Sequence, residues 1–238
     1  MSLVDAVIEA GTYPSTSAKR QEKQRYAEKL SHALAPRLAA ALRERGMPSV
    51  KPDVDGKKEK EFQGGLGPKR VDVSYSDERH GLLFAVSIKS IASPSPVRNS
   101  KKEIVGETWG KNLKNRFGDL CTEAITLHMR FPYSVVCCLF AMPVAADEDA
   151  GPNRSASTFS RATKLLATLS GRDDYTGPGE KFENVTMMLF QPATTDGEAP
   201  WVQLIDAATG SELTEDVYLD TLLRLYNDRN PHAAFGSK

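Results

Sequence analysis

The stretch from Gly64 to Ile91 constrains the fold most, because two short alternating runs in it hold one acid and one base among apolar neighbours. Val71 to Ser76 alternates Val71, Val73 and Tyr75 against Asp72, Ser74 and Ser76. Leu82 to Ile91 alternates Leu82, Phe84, Val86 and Ile88 against Leu83, Ala85, Ser87 and Lys89. Period-two alternation predicts strands, and Asp77-Glu78-Arg79-His80-Gly81 supplies the turn, so the two runs predict an antiparallel hairpin. A register that sets Asp72 opposite Ala85 or Ser87 places Asp72, Ser87 and Lys89 on one face. A lone Asp and a lone Lys in such strands are costly unless they pair or do chemistry.

Before the hairpin, residues 16–45 predict one long helix or two abutting ones. Ser15, Thr16 or Ser17 caps it, Leu30, Leu34, Leu38 and Leu42 form its buried stripe, Pro36 kinks or divides it, and Gly46 ends it. Val50 to Phe62, with Lys57-Lys58-Glu59-Lys60-Glu61, reads as an exposed charged loop. Gly64-Gly65-Leu66-Gly67-Pro68 reads as a flexible turn whose amides could approach a phosphate. Ala92 to Gly106, broken by Pro94 and Pro96, reads as a loop.

Glu107 to Arg130 predicts a helix. Trp109, Leu113, Phe117, Leu120, Ala124 and Leu127 form its core stripe, and Asn112, Arg116, Asp119, Glu123 and Arg130 a polar stripe beside it. Ser134 to Met142 is an almost unbroken apolar run and predicts a strand buried on both faces. Beyond an acidic loop from Ala145 to Asn153, a helix is expected over residues 155–169. Arg172 to Phe182 is turn-rich, strands are expected over residues 185–191 and 201–205, and a last helix ends near Asn227. The tail from Arg229 is expected to fray.

An Asp on one strand, a Ser-x-Lys on the next, and a Glu-bearing helix before a buried strand resemble the PD-(D/E)XK nuclease superfamily, the fold of many restriction enzymes. Lys111-Asn112-Leu113-Lys114-Asn115-Arg116-Phe117-Gly118-Asp119-Leu120, Glu123, and Leu127-His128-Met129-Arg130-Phe131-Pro132 carry the resemblance further. It covers residues 16–144 and implies an α/β fold: a restriction-endonuclease-like core, with a central mixed β-sheet flanked by helices. The length and the lack of a linker pattern predict a single domain spanning 1–238. The implied activity is hydrolysis of DNA phosphodiester bonds with Mg²⁺ or Mn²⁺, in bacterial restriction or anti-phage defence. Asp72 would hold the metal, and Lys89 would orient the attacking water.

The family's usual second carboxylate is replaced by Ser87, so another acid must supply it. Glu103 lies fourteen residues after Lys89, a spacing found in family members with a relocated Glu. Glu123 stands inside the amphipathic helix, where placement is rigid; both remain candidates, with Asp119 a weaker neighbour. The family also often carries an acid on its first helix, here Glu22 or Glu28. Lys69, Arg70, Lys111, Asn112, Lys114 and Arg116 are the candidate DNA contacts. The alternative is a nuclease-fold protein that has lost catalysis and only binds DNA or a protein partner. A third reading is an unrelated α/β module in which Asp72 and Lys89 merely pair.

Composition bounds these readings. Formal net charge is zero, yet residues 1–120 carry 22 Lys and Arg against 15 Asp and Glu, and the remainder 9 against 16. The basic half holds the proposed site, which suits an anionic partner. No apolar run reaches the ~18 residues of a membrane span, so no membrane is expected. The N-terminus has no signal-peptide pattern, and Cys121, Cys137 and Cys138 have no zinc spacing; buried free thiols in a reducing cytoplasm are expected. His32, His80, His128 and His232 show no zinc spacing, and there is no Gly-x-Ser-x-Gly elbow or dinucleotide fingerprint. A homodimer, or recruitment by other proteins of a defence system, is compatible with the sequence.

Overall fold

A computed structural model describes residues 2–15, 17–53, 60–151, 155–194 and 197–235. Helices α1 (Leu3–Ala10) and α2 (Arg20–Glu44) precede a hairpin of β1 (Lys60–Gly64) and β2 (Gly67–Val71). Strands β3 (Val73–Asp77) and β4 (Gly81–Ser90) follow, then a second hairpin, β5 (Ser95–Arg98) and β6 (Ile104–Thr108). The chain continues through α3 (Leu113–Arg130), β7 (Val135–Pro143), α4 (Thr158–Ala167), β8 (Asn184–Gln191), β9 (Trp201–Asp206), β10 (Glu212–Leu213) and α5 (Glu215–Arg229).

The class is α/β. Among the described residues a central mixed sheet of six strands runs in the order β10-β9-β8-β7-β4-β3. Strands β4, β7 and β8 are parallel neighbours, while β3 and β9 flank them antiparallel. Parallel neighbours require crossovers, which α3 and α4 supply. Val135, Cys137, Leu139 and Ala141 of β7 pack on one face with α1, α2 and α5; Val136, Cys138, Phe140 and Met142 pack on the other with α3 and α4. That double burial explains why β7 lacks alternation. No described helix is long and apolar enough to cross a membrane. Cys137 and Cys138 are buried free thiols, and Cys121 is half-buried.

Several expectations are met: the Leu30–Leu34–Leu38–Leu42 stripe is fully buried, and β7 is buried on both faces. Others are corrected. Helix α2 is one continuous helix with Pro36 inside it, the first of the two expected alternatives, but it starts at Arg20, where the Lys19 amide donates to Glu22 at 2.8 Å, rather than near Thr16. Thr16, Lys57-Lys58-Glu59 and Asn153 lie outside the described residues. The expected loop at 92–106 holds most of a β-hairpin: proline, excluded from a helix interior, is tolerated in an edge strand, and Ile104 and Val105 favour extended backbone. The helix expected from Glu107 therefore starts at Leu113. The tail does not simply fray after Arg229: Phe235 stacks on Tyr226, and its amide donates to Asn227 at 2.8 Å.

The Gly64–Pro68 turn, expected to be flexible with amides for a phosphate, is held in place by the protein itself, with Gly65, Leu66 and Pro68 exposed. It lies against α3, with the Gly65 amide donating to the Thr126 carbonyl at 2.8 Å. A Cβ on Gly64 would stand 2.5 Å from Thr126 Cγ2 and 2.8 Å from its carbonyl oxygen. The glycines are needed for close approach, and they let β1 and β2 lie across α3. Gly64→Ala is expected to destabilise the protein by about 1–3 kcal/mol, as other overpacked contacts do, read as a lower midpoint in urea denaturation. An unchanged midpoint would show that the turn is free to move off the helix.

Candidate functional site

The run Val71–Ser76 is not one strand. Strand β2 ends at Val71, where the chain leaves the first hairpin, and β3 begins at Val73, so Asp72 sits at the bend between two sheets. Val73 pairs with Val86, which leaves Asp72 beside the Ser87 level of β4, in line with the expected register. Its Oδ2 accepts the Ile88 amide at 2.7 Å, which fixes the carboxylate where the β3–β4 ladder stops.

Ala85 packs on the α3 face of β4, and alternation sends Ser87 and Lys89 to that same face. Lys89 Nζ lies 3.8 Å from Asp72 Oδ2 and 3.0 Å from Glu123 Oε2. Glu123 comes down from α3 and is 1 % exposed. The second cation on it is Lys69, delivered by β2, with Nζ 2.8 Å from Glu123 Oε2. Two carboxylates and two ammoniums thus converge from four different segments.

Burial by itself would push the Glu123 carboxyl up, but Lys89 and Lys69 overcome it and hold the group below its usual range. Burial would likewise lower Lys89, yet Glu123 and Asp72 raise it above the ordinary lysine value. Both groups are therefore charged at neutral pH. Two buried polar atoms are left over, Glu123 Oε1 and Ser87 Oγ, neither with a hydrogen-bond partner among the described residues. Buried polar atoms away from this cluster, among them Ser74 Oγ and Tyr218 Oη, share that condition.

Glu103 stands elsewhere. It is exposed at the β5–β6 turn, where its Oε2 accepts Asn99 Nδ2 at 2.7 Å. Asp119 is exposed and pairs with Arg116 at 3.2 Å. Glu22 and Glu28 are exposed on α2, which packs on the opposite face of the sheet. Lys111, Asn112, Lys114 and Arg116 line the exposed start of α3, and Arg70 is exposed next to Lys69. No group of three or more His, Cys, Asp or Glu among the described residues is arranged to hold a metal. The protein oxygens on offer are the two carboxylates and the Ser87 hydroxyl. That set suits a hard cation such as Mg²⁺, which commonly uses one or two carboxylates plus water and substrate phosphate.

Lys69 on Glu123 is the contact the sequence reading missed. The signal was present, since Lys69 stands three residues before Asp72, but seeing it required knowing that the glycine turn folds onto α3. A second buried cluster was also missed. At the other end of the parallel strands Glu183 meets Arg172 at 2.8 Å, Arg229 at 3.2 Å and His128 at 3.5 Å. No family model, no curated protein and no solved structure matches the chain.

Proposed function

We propose that this chain is a metal-dependent phosphodiesterase acting on DNA, built on a restriction-endonuclease-like core. The observation that carries the reading is the convergence of Asp72, Lys89 and buried Glu123 on one point, from a strand junction, a strand end and a crossover helix. The chain order supports it too: a helix, an antiparallel pair, a crossover helix and a parallel strand, as the resemblance implies.

Asp72 and Glu123 would hold the metal, which when bound polarises the scissile phosphate and lowers the pKa of a water. Lys89 donates hydrogen bonds toward that water or toward the phosphate oxygens where charge develops. Ser87 adds one neutral donor beside it and cannot replace a carboxylate charge. Lys69 neutralises Glu123 until a metal takes its place, and with a side chain 31 % exposed it has a path to solvent.

Nicking of supercoiled plasmid in Mg²⁺ or Mn²⁺, and none in EDTA, is the expected result. The Lys69→Met variant, in which the competing cation is gone, is expected to bind Mn²⁺ at least fivefold more tightly by calorimetry, about 1 kcal/mol. Equal or weaker Mn²⁺ binding would mean that Lys69 does not guard the site.

One specific pair of observations favours a second reading, a DNA-binding protein without cleavage. Ser87 carries no charge, and Lys69 and Lys89 already neutralise Glu123. Retardation of duplex DNA with intact plasmid in every divalent metal would select that reading.

A further inference from the structure

We infer that the β5–β6 ribbon is a DNA-contacting arm that enters a groove of the duplex held at the Asp72–Lys89–Glu123 site, an inference that rests on the reading above. Among the described residues the two strands pair as strands only with each other, forming their own two-stranded sheet. Residues 96–98 and 100–107 are exposed. Val97, Ile104 and Val105 are 39 %, 60 % and 61 % exposed, so the ribbon presents three aliphatic side chains to water.

The turn is ordered from within. Asn99 Oδ1 accepts the Lys101 and Glu103 amides at 2.9 and 3.0 Å, and Arg98 Nη1 donates to the Lys102 carbonyl at 2.7 Å. The ribbon is thus a shaped projection with Lys101 and Lys102 at its tip. Its base is fastened beside the site: β5 follows β4 shortly after Lys89, Asn112 at the start of α3 donates to Ser95 at 3.2 Å, and Glu107 pairs with Lys23 at 3.7 Å.

The charge selects the partner. Residues 95–116 hold Arg98, Lys101, Lys102, Lys111, Lys114 and Arg116 against Glu103 and Glu107. A surface of that sign repels a second copy of itself and attracts a polyanion. A two-stranded ribbon fits the major groove, where aliphatic side chains can meet thymine methyls while flanking cations contact phosphates. Glu123 lies ten residues into α3, roughly 15 Å along the helix. The ribbon's base, held at the start of α3, and the site on α3 are thus separated along the helix by less than the length of a short duplex.

The test uses the full chain in EDTA, so that binding is read without cleavage, with a fluorescein-labelled random-sequence 30-base-pair duplex followed by anisotropy across salt concentrations. Two variants are compared with wild type, Lys101→Glu with Lys102→Glu, and Ile104→Ser with Val105→Ser. All four positions are exposed, and melting curves confirm the fold. The charge variant is expected to bind at least ~10-fold more weakly at 0.1 M salt, with a slope of log K on log[salt] shallower by about two. For the aliphatic variant, the preference of wild type for thymine over uracil duplexes is expected to vanish. Wild-type affinity and slope in the charge variant would overturn the inference. So would a change from dimer to monomer in either variant with DNA binding intact, which would assign the ribbon to a second copy. If wild type does not bind the duplex in EDTA yet nicks plasmid in Mg²⁺, the arm falls and the nuclease reading stands. Ribbon-dependent binding with no cleavage in any metal keeps the arm and removes the nuclease.

Discussion

Glu123→Gln is expected to lower metal-dependent cleavage by at least ~10²-fold, because changes in the groups that merely orient metal ligands already cost 10- to 100-fold. The substitution keeps shape and removes the charge that two ammoniums and a metal compete for. Lys89→Ala is expected to cost ~10²–10⁴-fold, the usual range for a positioned proton-transfer group. If the two act as one unit, the double variant falls little below the worse single one. Folding should survive each change, since Lys69 can turn to solvent and Lys89 keeps Asp72 as partner. Full cleavage by Glu123→Gln at an unchanged melting temperature would remove Glu123 from the site. Glu103→Gln serves as the control and is expected to cleave normally, because its carboxylate is occupied at the ribbon turn.

Glu183→Gln is expected to destabilise the protein by about 3–5 kcal/mol, the cost of leaving buried cations without their anion. Glu183 and Arg172 have side chains 1 % and 2 % exposed, and Arg229 and His128 also face the carboxylate. Its Oε2 also accepts the Val136 amide at 2.7 Å, so one carboxylate ties α3, β7, α5 and the segment after α4 together. A loss of this size is a large share of the roughly 5–15 kcal/mol that holds a domain folded.

Burial would raise the Glu183 carboxyl, but His128, the Val136 amide and Arg172 hold it below its usual value. Depressed in the folded state, Glu183 contributes stability that is complete above the unfolded carboxylate value of about 4.3 and is lost as pH falls through its lower folded value. Glu123 follows the same sign. Stability from urea melts is therefore expected to drop from about pH 5 downward, and less steeply in Glu183→Gln. A flat profile in wild type would contradict both depressed carboxyls.

The strands and helices with long apolar patterns were legible in the sequence. The alternation of Leu82–Ile88 and the leucines of α2 each announce a period that packing then uses, and the unbroken apolar block at 134–142 announces a strand buried on both faces. Asp72 and Lys89 were legible as polar residues misplaced in apolar strands, and Glu123 as a rigid acid on a helix beside its core stripe. The break at Asp72 was not, because a run of alternating residues looks the same whether its first half pairs with one partner or another. The β5–β6 ribbon was not either, since prolines and a serine-rich composition read as loop, and its pairing rests on Asn99 closing the turn. Lys69 on Glu123 and the Glu183 cluster depend on distant segments meeting, which no local pattern records.

The most direct test of the central claim is a crystal structure of the wild-type chain with duplex DNA and Mn²⁺, read by anomalous scattering. The account predicts a manganese peak ligated by Asp72 and Glu123 at about 2.0–2.2 Å, a phosphate oxygen on the same ion, Lys89 beside it, and Lys69 turned away from Glu123. DNA bound with no peak between those two carboxylates, and Lys69 still on Glu123, would contradict it.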